Sequence, residues 1–217
     1  MKNAVVSWSG GKDSCYAAIK AMEQGYSPAV LLNALNEEGS FSRSHRIPKI
    51  ILQEQAKLFQ KPISLVAASW QDYEREFTAA LLRLKEQYGL THAVFGDIDL
   101  QAHRDWEEMV CAKAGLEAVL PLWQQDRKML VLEMLQSGIE TMIVSCNETM
   151  GEHFLGKQLT PDVVAALEKI GIDPCGEAGE FHTLVTNCQL FQKPMPIRVT
   201  QKLRHENFWF ADVILES

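Results

Sequence analysis

The sequence predicts an α/β fold, with a doubly wound parallel sheet followed by a small C-terminal α+β lobe. Three observations support this prediction. Apolar runs of strand length alternate with helix-length segments, the first run ends in a glycine turn that leads straight into a helical pattern, and the tail changes to strands that follow one another. Continuously apolar strands separated by amphipathic helices are typical of a parallel sheet covered on both faces.

The elements of the sheet are predicted in order along the chain. The first strand covers residues 4–8 and precedes a helical pattern over residues 15–22. Further apolar, partly β-branched runs lie at residues 29–34, 63–67, 91–97, 118–120 and 140–146. Helix-length segments separate them at residues 50–59, 72–88, 101–114 and 126–136. The segment over residues 72–88 places Phe77, Leu81 and Leu84 on one face, and Ser69 with Asp72 is suited to cap its start.

The tail is predicted to form a separate lobe. A helix begins at Thr160, with Pro161 at a favourable first-turn position, and stops before Gly171. Strand-like runs follow at residues 181–185, 197–200 and 208–215, and we expect them to form an antiparallel sheet. Because the junction near residue 145 has no Gly/Ser-rich linker, residues 1–145 and 146–217 are expected to be two domains that pack closely.

Composition and charge argue against several classes of protein. With 47% hydrophobic and 23% charged residues among 217, the chain is typical of a folded globular protein. A net charge of −7 argues against a main partner that is a nucleic-acid backbone. No apolar run is long enough to span a membrane, and a core strand begins so early that no room is left for a signal peptide. We therefore expect a cytoplasmic protein with no membrane partner.

The cysteines form no C-x-x-C pair and no zinc-like cluster with the histidines. We expect them to be free thiols that are buried as small hydrophobic side chains, with a catalytic thiol as the alternative. They are Cys15, Cys111, Cys146, Cys175 and Cys188.

The loop between the first strand and the first helix, residues 9–14, reads Ser-Gly-Gly-Lys-Asp-Ser. Gly10 and Gly11 allow positive φ and let consecutive backbone N–H groups converge on an anion. Lys12 adds a positive charge, and the helix directs its free N–H groups and its dipole to the same point. The pattern predicts a seat for the phosphates of a nucleoside triphosphate. An ordinary turn in which a polar side chain only caps the helix is the alternative.

The position of this loop agrees with the predicted fold. Parallel strands joined by right-handed crossovers place the ligand site outside the carboxyl ends of the strands. The stretches that follow strands are therefore expected to line the site, and they are residues 9–14, 33–36, 69, 96–99 and 146–149.

The spacing excludes the commoner phosphate loops. A Walker A loop needs four residues between its first glycine and the Gly-Lys pair, and a dinucleotide fingerprint needs G-x-G-x-x-G, so neither fits residues 9–14. The loop instead resembles the PP-loop, S-G-G-x-D-S, of the N-type ATP pyrophosphatases, whose fold is adenine nucleotide alpha-hydrolase-like. The resemblance implies cleavage of ATP between its α and β phosphates and adenylation of a substrate oxygen. Nucleotide contacts are expected at Ser7, Ser9, Gly10, Gly11, Lys12, Asp13, Ser14 and, near the adenine, Asn33.

A second group of polar residues lies at residues 173–183, Asp-Pro-Cys-Gly-Glu-Ala-Gly-Glu-Phe-His-Thr. Glycines interleaved with Glu177 and Glu180, next to His182 and Thr183, make an acidic loop with a titratable imidazole beside it. Such a group is suited to hold Mg²⁺, to bind an amine or ammonium, or to relay a proton. A solvated turn whose carboxylates face water is the alternative.

Together with the phosphate loop, residues 173–183 resemble the G-E-x-G-E-F-H-T signature of the diphthine-ammonia ligase family. These PP-loop enzymes amidate the modified histidine of elongation factor 2. Other segments resemble further elements of the family, the last of them an element of its bacterial-type members: Phe95-Gly96-Asp97-Ile98 followed by Arg104 and Glu107, Pro121-Leu122-Trp123 with Arg127, and His45-Arg46-Ile47-Pro48. The resemblance covers the chain from Val5 to about Val185.

The resemblance implies that a substrate carboxylate attacks the α-phosphate of ATP, pyrophosphate leaves, and ammonia displaces AMP to give an amide. ATP and Mg²⁺ are the expected cofactors, with Asp13 as a metal ligand or, alternatively, as an acceptor that orients the loop. Catalytic roles are expected for Lys12, Glu180 and His182, with either Glu180 or His182 taking the proton from ammonium. Substrate contacts are expected at Gly96, Asp97, Arg104, Glu177 and Thr183, with an exposed helix position facing solvent as the alternative for Arg104.

Two other functions fit parts of the sequence, a PP-loop enzyme that thiolates tRNA and a non-catalytic nucleotide-binding protein. A thiolating enzyme should show a basic face and paired catalytic cysteines, and neither is evident. A nucleotide sensor has no need of Lys12 together with the acidic loop. The acceptor carboxylate is expected to belong to elongation factor 2 if the organism makes diphthamide, and otherwise to a small molecule. Exposed strands in the tail suggest a homodimer paired across a two-fold axis.

Overall fold

The computed structural model of the protein describes residues 2–216 and contains two β-sheets. The strands are β1 Lys2–Ser7, β2 Tyr26–Leu35, β3 Ile63–Ala67, β4 His92–Val94, β5 Glu117–Val119, β6 Glu140–Asn147, β7 Phe181–Asn187, β8 Ile197–His205 and β9 Phe208–Leu215. The α-helices are α1 Lys12–Glu23, α2 Lys49–Leu58, α3 Tyr73–Tyr88, α4 Gln101–Ala114, α5 Arg127–Gln136 and α6 Pro161–Lys169. Within the described range, none of the helices has the length and apolar composition of a membrane span.

The first sheet is parallel, with strand order β3-β2-β1-β4-β5, and confirms the doubly wound fold. Helices α3 and α4 cover one face, where Phe77, Leu81 and Val110 are buried with Val5 and Leu32 of the sheet. Helices α1 and α2 belong to the core on the other face. Because the strand order reverses between β1 and β4, the loops that leave these strands separate and open a crevice at the sheet edge.

The second sheet is antiparallel, with strand order β7-β6-β9-β8, and confirms the predicted lobe. It includes β6, which the alternating pattern assigned to the parallel sheet. That assignment is wrong, because β6 pairs with β7 and β9. A continuously buried apolar run indicates a strand with two covered faces but not which strands flank it.

The two sheets share one core. The fully buried Trp8, at the end of β1, has its ring centroid 5.7 Å from that of Phe59 and 6.5 Å from that of Phe191, which follows β7. The backbone N–H of Val185 in β7 donates to the carbonyl oxygen of Gly10 at 2.9 Å. The second sheet therefore reaches the loop after β1 directly. The domain boundary at residue 145 stays a prediction.

Candidate active site

The loop between β1 and α1 has the backbone geometry of an anion-binding turn. Gly10 has a φ of +88°, and Gly11 is the N-cap of α1. A Cβ atom on Gly10 would lie 2.9 Å from the amide oxygen of Gln55, so a larger residue does not fit. The hydroxyl oxygens of Ser9 and Ser14 lie 3.0 Å apart, and both residues line the crevice. The first turn of α1 and two hydroxyl groups therefore face the same space.

Gly96, which follows β4, also lines the crevice and packs on this loop. A Cβ atom at this position would lie 2.8 Å from the carbonyl carbon of Asp13 and 2.8 Å from the backbone nitrogen of Ser14. Both are backbone atoms, so they could not move aside without shifting the first turn of α1. Gly96 therefore allows β4 to approach the loop closely.

Two side chains from outside the loop hold it in place. Thr183 of β7 accepts a hydrogen bond from the backbone N–H of Lys12 through its hydroxyl oxygen at 3.1 Å. Gln55 of α2, fully buried, donates to the carbonyl oxygens of Gly10 at 3.0 Å and Val185 at 2.8 Å. The position of the loop thus depends on the contact between the two sheets.

The side chain of Lys12 lies at the base of the crevice and is only 3% exposed. Its Nζ donates to the two carboxylate oxygens of Asp13 at 2.8 and 2.9 Å and to the carbonyl oxygen of Cys175. Burial disfavours the charge, but the Asp13 carboxylate outweighs this effect and raises the pKa of Lys12. Lys12 is therefore a charged donor whose charge is compensated by Asp13 until another anion competes for it.

The crevice has a volume of about 620 Å³ and collects most of the residues that the sequence singled out. Its lining includes Ser7, Ser9, Lys12, Asp13, Ser14, Gly96, Asp97, Glu177, His182 and Thr183. Gly10 and Gly11 form the loop behind this lining. The phosphate loop at residues 9–14 and the acidic loop at residues 173–183 therefore meet at one edge of the parallel sheet.

Besides Gly10 and Gly11, three predicted residues lie outside the lining. Asn33 is buried, and its amide nitrogen donates to the carbonyl oxygen of Trp8 at 2.7 Å. Arg104 pairs with Glu108 at 2.7 Å, because the spacing of four residues puts both on the outer face of α4. Glu180 has a buried carboxylate oxygen with no hydrogen-bond partner in residues 2–216. Adenine contact by Asn33, substrate contact by Arg104 and proton transfer to Glu180 stay predictions.

His182 stacks on His45, with ring centroids 4.5 Å apart and an angle of 25° between the planes. Nδ1 of His45 lies 3.1 Å from the carbonyl oxygen of Thr183. Burial lowers the pKa of His45 to about 4. Burial also lowers the pKa of His182 well below its usual value, and the adjacent His45 and the charge of Lys12 act in the same direction. Both imidazoles are neutral at pH 7 and are weak bases.

Asp97 and Glu107 form a carboxyl pair at the crevice, in which Glu107 is buried and Asp97 is partly exposed. Glu107 is 4% exposed, and burial, followed by its hydrogen bond to Asp97, raises the pKa of Glu107 to about 11. Asp97 accepts a hydrogen bond from Nδ1 of His103 at 2.7 Å. Burial opposes the ionisation of Asp97, but hydrogen bonds from His103 and Glu107 lower its pKa below the usual value. The pair therefore carries a proton on Glu107 and a negative charge on Asp97.

Glu177 is a third carboxyl group at this place. Its Oε1 accepts a hydrogen bond from the backbone N–H of Ile98 at 3.1 Å. Burial, with the charges of nearby carboxylates, raises the pKa of Glu177 to about 7 despite that hydrogen bond. Its own backbone N–H donates to Asp173 at 3.0 Å, and Asp173 pairs with Arg127. The acidic loop is thus anchored by ion pairing while the Glu177 side chain faces the crevice.

An aromatic wall that the sequence reasoning missed lines another side of the crevice. The guanidinium carbon of Arg43 lies 4.5 Å from the ring centroid of Trp70 and 5.2 Å from that of Tyr73. Tyr73 stacks on Trp106 with centroids 5.1 Å apart. Of residues 2–216, Lys12 and Arg43 are the lysine and arginine that line the crevice, and Arg43 donates to backbone carbonyl oxygens.

The cysteines are buried free thiols, as predicted. Cys175 lines the crevice, and its Sγ donates to the carbonyl oxygen of Arg127 at 2.9 Å. Burial raises the pKa of this thiol to about 12. A protonated, hydrogen-bonded thiol is a poor nucleophile, so the site gives no support to sulfur transfer through Cys175.

Mg²⁺ fits the crevice as a companion of nucleotide phosphates. Proteins bind Mg²⁺ through one or two carboxylates together with phosphates and water. Asp13 offers such a carboxylate at the phosphate loop, with 27% of its side chain exposed. No cluster of three or more metal-binding side chains occurs in the described part of the chain. The donor set suits a metal that arrives with the nucleotide, and Asp13 is the residue that would hold it.

The fold and the loop together define a PP-loop α/β protein. The chain belongs to the diphthamide synthase family, because the family model of the diphthamide synthase N-terminal domain matches residues 1–118 and that of the C-terminal domain matches residues 126–215. The family resemblance read from the sequence is thereby confirmed.

Curated relatives carry the name diphthine–ammonia ligase. The Homo sapiens protein is 28% identical over 94% of this chain and 86% of its own length, and the Danio rerio protein is 28% identical over 94% and 90%. The Schizosaccharomyces pombe protein is 28% identical over 92% of this chain but only 36% of its own length. A solved structure described as a predicted subunit of tRNA methyltransferase from Methanocaldococcus jannaschii covers 87% of this chain and 98% of that chain, with 15% identity and a TM-score of 0.48.

Proposed function

We propose that this protein is an ATP-dependent ligase that adenylates a substrate carboxylate, releases pyrophosphate, and transfers ammonia to the adenylated carboxyl group. One observation carries the proposal: the phosphate loop and the acidic loop meet at one crevice. Support comes from relatives named diphthine–ammonia ligase that match over 94% of the chain. The enzyme class is therefore that of the AMP-forming carboxylate–ammonia ligases.

The phosphates of ATP are proposed to bind at residues 9–14. The first turn of α1 supplies backbone N–H groups, and Lys12 exchanges its contact with Asp13 for a phosphate oxygen. Attack on the α-phosphate needs fixed donors and cations rather than a protein nucleophile. Bound Mg²⁺, held by Asp13, would neutralise charge on the phosphates.

Arg43 is proposed to bind the carboxylate of the acceptor. The charge of Lys12 is compensated by Asp13, whereas Arg43 is held by rings and carbonyl oxygens and keeps an uncompensated positive charge at the crevice. An arginine fixed in this way is suited to pair with a carboxylate in two-point geometry. This role replaces the one expected for Arg104, which lies on the outer face of α4.

Glu177 is proposed to accept the proton that ammonium must lose before it attacks. Its carboxylate lines the crevice, and its pKa of about 7 makes it a stronger base than the neutral imidazole of His182. An N–H bond of ammonium breaks, its electron pair stays on nitrogen as the nucleophile, and an O–H bond forms on Glu177. His182 is then an acceptor that helps to orient the nucleophile.

For the acceptor we propose diphthine, the compound that appears in the name of the relatives. The lining of the crevice supports this choice, because diphthine carries both a carboxylate and a cationic group. The guanidinium of the crevice suits the carboxylate, and its aromatic rings and carboxylates suit the cationic group. The cytoplasmic location and the homodimer stay predictions.

The test is to incubate the protein with ATP, ¹⁵N-ammonium chloride and elongation factor 2 that carries diphthine. The expected products are AMP, pyrophosphate and a ¹⁵N-labelled amide in equal amounts. Lys12→Ala should abolish pyrophosphate release, whereas Lys20→Ala, on the same helix but paired with Glu23, should retain it. Pyrophosphate release that is unchanged in Lys12→Ala would contradict the phosphate role, and release without a labelled amide would contradict the ligase assignment.

A further inference from the structure

Arg127, the first residue of α5, contacts the acidic loop at two points. Its Nη1 donates to Oδ2 of Asp173 at 2.5 Å, and its backbone carbonyl oxygen accepts a hydrogen bond from Sγ of Cys175 at 2.9 Å. The other side of the guanidinium pairs with Asp99, which follows β4, through Nε at 2.7 Å and Nη2 at 2.6 Å. Arg127 therefore joins the start of the acidic loop to the segment that follows β4.

Asp173 connects Arg127 to the backbone of the acidic loop. The side chain of Asp173 is 11% exposed, and its two oxygens accept the backbone N–H groups of Cys175 at 2.9 Å and Glu177 at 3.0 Å. One carboxylate thus binds two N–H groups and the guanidinium of Arg127. Hydrogen bonds to ionised groups are the stronger kind, so this carboxylate fixes the turn over residues 173–177.

The same turn contacts Lys12. The carbonyl oxygen of Cys175 accepts a hydrogen bond from Nζ of Lys12, and the ammonium group also donates to both carboxylate oxygens of Asp13. These contacts use the three N–H donors of the lysine. A carbonyl oxygen has no net charge, so it orients the ammonium group without compensating its charge. The contact with Cys175 therefore leaves the charge of Lys12 available to a phosphate.

Glu177 lies at the other end of the turn. Its Oε1 accepts the backbone N–H of Ile98 at 3.1 Å. Ile98 is the neighbour of Asp99, so the side chains of Glu177 and Arg127 bind adjacent residues of one segment. A movement of the turn would therefore displace the carbonyl group of Cys175 and the side chain of Glu177 together.

We propose that Arg127 and Asp173 are positioning residues for the reaction, which set the directions of the Lys12 ammonium group and the Glu177 carboxyl group through the turn. The inference deepens the proposed function and rests on it for the roles of Lys12 and Glu177. Neither Arg127 nor Asp173 lines the crevice, so both act through the residues they hold. Arginine suits this task because its planar fork donates to two carboxylates at once, whereas lysine is a point charge.

The test measures the Kd for magnesium-ATP by calorimetry, without acceptor or ammonium. Arg127→Lys keeps the charge but loses the fork, and Asp173→Asn keeps one acceptor oxygen of the carboxylate. Each should raise the Kd at least about tenfold, the loss expected when a charged donor to phosphate is misdirected. Lys128→Gln, next to Arg127 in α5 and paired with Glu168, is the matched control and should bind ATP like the wild type.

A double-mutant cycle separates positioning from a general loss of stability. In a Lys12→Gln background, Arg127→Lys should change the Kd less than about twofold, because its effect on ATP passes through Lys12. All measurements are made below the thermal unfolding midpoint of each variant. An effect of Arg127→Lys that is equally large without Lys12 would overturn the proposal. A lowered unfolding midpoint with an unchanged Kd would also overturn it, because Arg127 would then be a structural residue only.

The pH profile of amide formation reports on Glu177. In Asp173→Asn the turn holds Glu177 less firmly in its buried position, so the rise of the rate should end at a lower pH than the value of about 7 expected for the wild type. An unchanged profile would show that the turn does not position Glu177. A wild-type protein that fails to bind ATP would contradict the proposed function, whereas ATP binding that is equal in the wild type and all variants would contradict this inference alone.

Discussion

The hydroxyl oxygen of Thr183 accepts a hydrogen bond from the backbone N–H of Lys12 at 3.1 Å, across 171 positions of the sequence. Thr183 is 2% exposed and belongs to β7 in the second sheet, whereas Lys12 opens α1. Thr183, which is expected to contact the substrate, therefore also contacts the phosphate loop. The acidic loop and the phosphate loop form one structural unit.

Replacing Thr183 tests this link. Thr183→Val is expected to lower the free energy of unfolding by about 1–3 kcal/mol, because the buried N–H of Lys12 loses its acceptor while the shape of the side chain is kept. Thr183→Ser keeps the hydroxyl and should lose much less. Urea denaturation of the three proteins measures the difference. Equal stability of the valine variant and the wild type would show that the bond does not support the loop.

A second prediction concerns Gln55, which connects α2 to both sheets. Its amide oxygen accepts the indole N–H of Trp8 at 2.9 Å, and its amide nitrogen donates to the carbonyl oxygens of Gly10 and Val185. Gln55→Leu leaves buried polar groups without partners, at a cost of about 1–3 kcal/mol for each of them. We expect a large loss of stability by denaturation and weaker ATP binding by calorimetry. Gln53→Leu, at an exposed position of α2, is the control and should change neither quantity.

The fold could be predicted because each parallel strand is marked by a local signal. The five strands of the first sheet are short apolar runs, and helix ends are marked by residues such as Thr160, whose hydroxyl accepts the N–H of Val163 at 3.3 Å. The assignment of β6 to the parallel sheet failed because a buried apolar run shows that a strand is covered on both faces but not which strands flank it, here β7 and β9.

The candidate site could be predicted where a motif fixes the backbone, and not where side chains meet by packing. The loop at residues 9–14 carries its own conformation, so its place at the crevice followed from the sequence. Arg43 belongs to no such motif, and its position at the crevice depends on contact with the rings of Trp70 and Tyr73. Both of these residues follow β3. One signal was present, since Trp70 directly follows Ser69, a residue expected at a strand end.

Arg43 is the subject of a third prediction. Arg43→Gln should raise the KM for the acceptor by at least about tenfold, the loss expected for a charge-assisted pair with its carboxylate, and should leave the KM for ATP close to that of the wild type. Steady-state kinetics with diphthine-bearing elongation factor 2 separates the two constants. Arg83→Gln, on the exposed side of α3, is the control. A rise in the KM for ATP alone would place Arg43 at the nucleotide instead.

The pH dependence of stability gives a fourth prediction. The pKa of Glu177 is raised from its ordinary value of 4.5 to about 7 in the folded protein, mainly by burial. A carboxyl group with a raised pKa favours the folded state below its unfolded value and loses that contribution as the pH rises through the folded value. The unfolding free energy of the wild type, relative to Glu177→Gln, should therefore fall between about pH 4.5 and pH 7. Urea denaturation across this range measures the difference, and a constant difference would contradict burial of the carboxyl group.

The rate of amide formation should also depend on the ionisation of Glu177. The rate should increase over the pH range in which the unfolding free energy decreases. Because Glu177 must be ionised to take a proton from ammonium, the rate is expected to rise with pH up to about 7 and then level off. Glu177→Gln should lower kcat and remove this rise, while Glu168→Gln, which only loses an ion pair with Lys128, should keep the wild-type profile. Glu107 stays protonated over this range because its pKa is about 11, so it adds no second step.

The measurement is the initial rate of ¹⁵N-amide formation between pH 5.5 and 8.5 at a fixed concentration of total ammonium. A rate limited only by the free-ammonia fraction would instead keep rising up to pH 8.5, and such a profile in both proteins would remove Glu177 from the proton transfer.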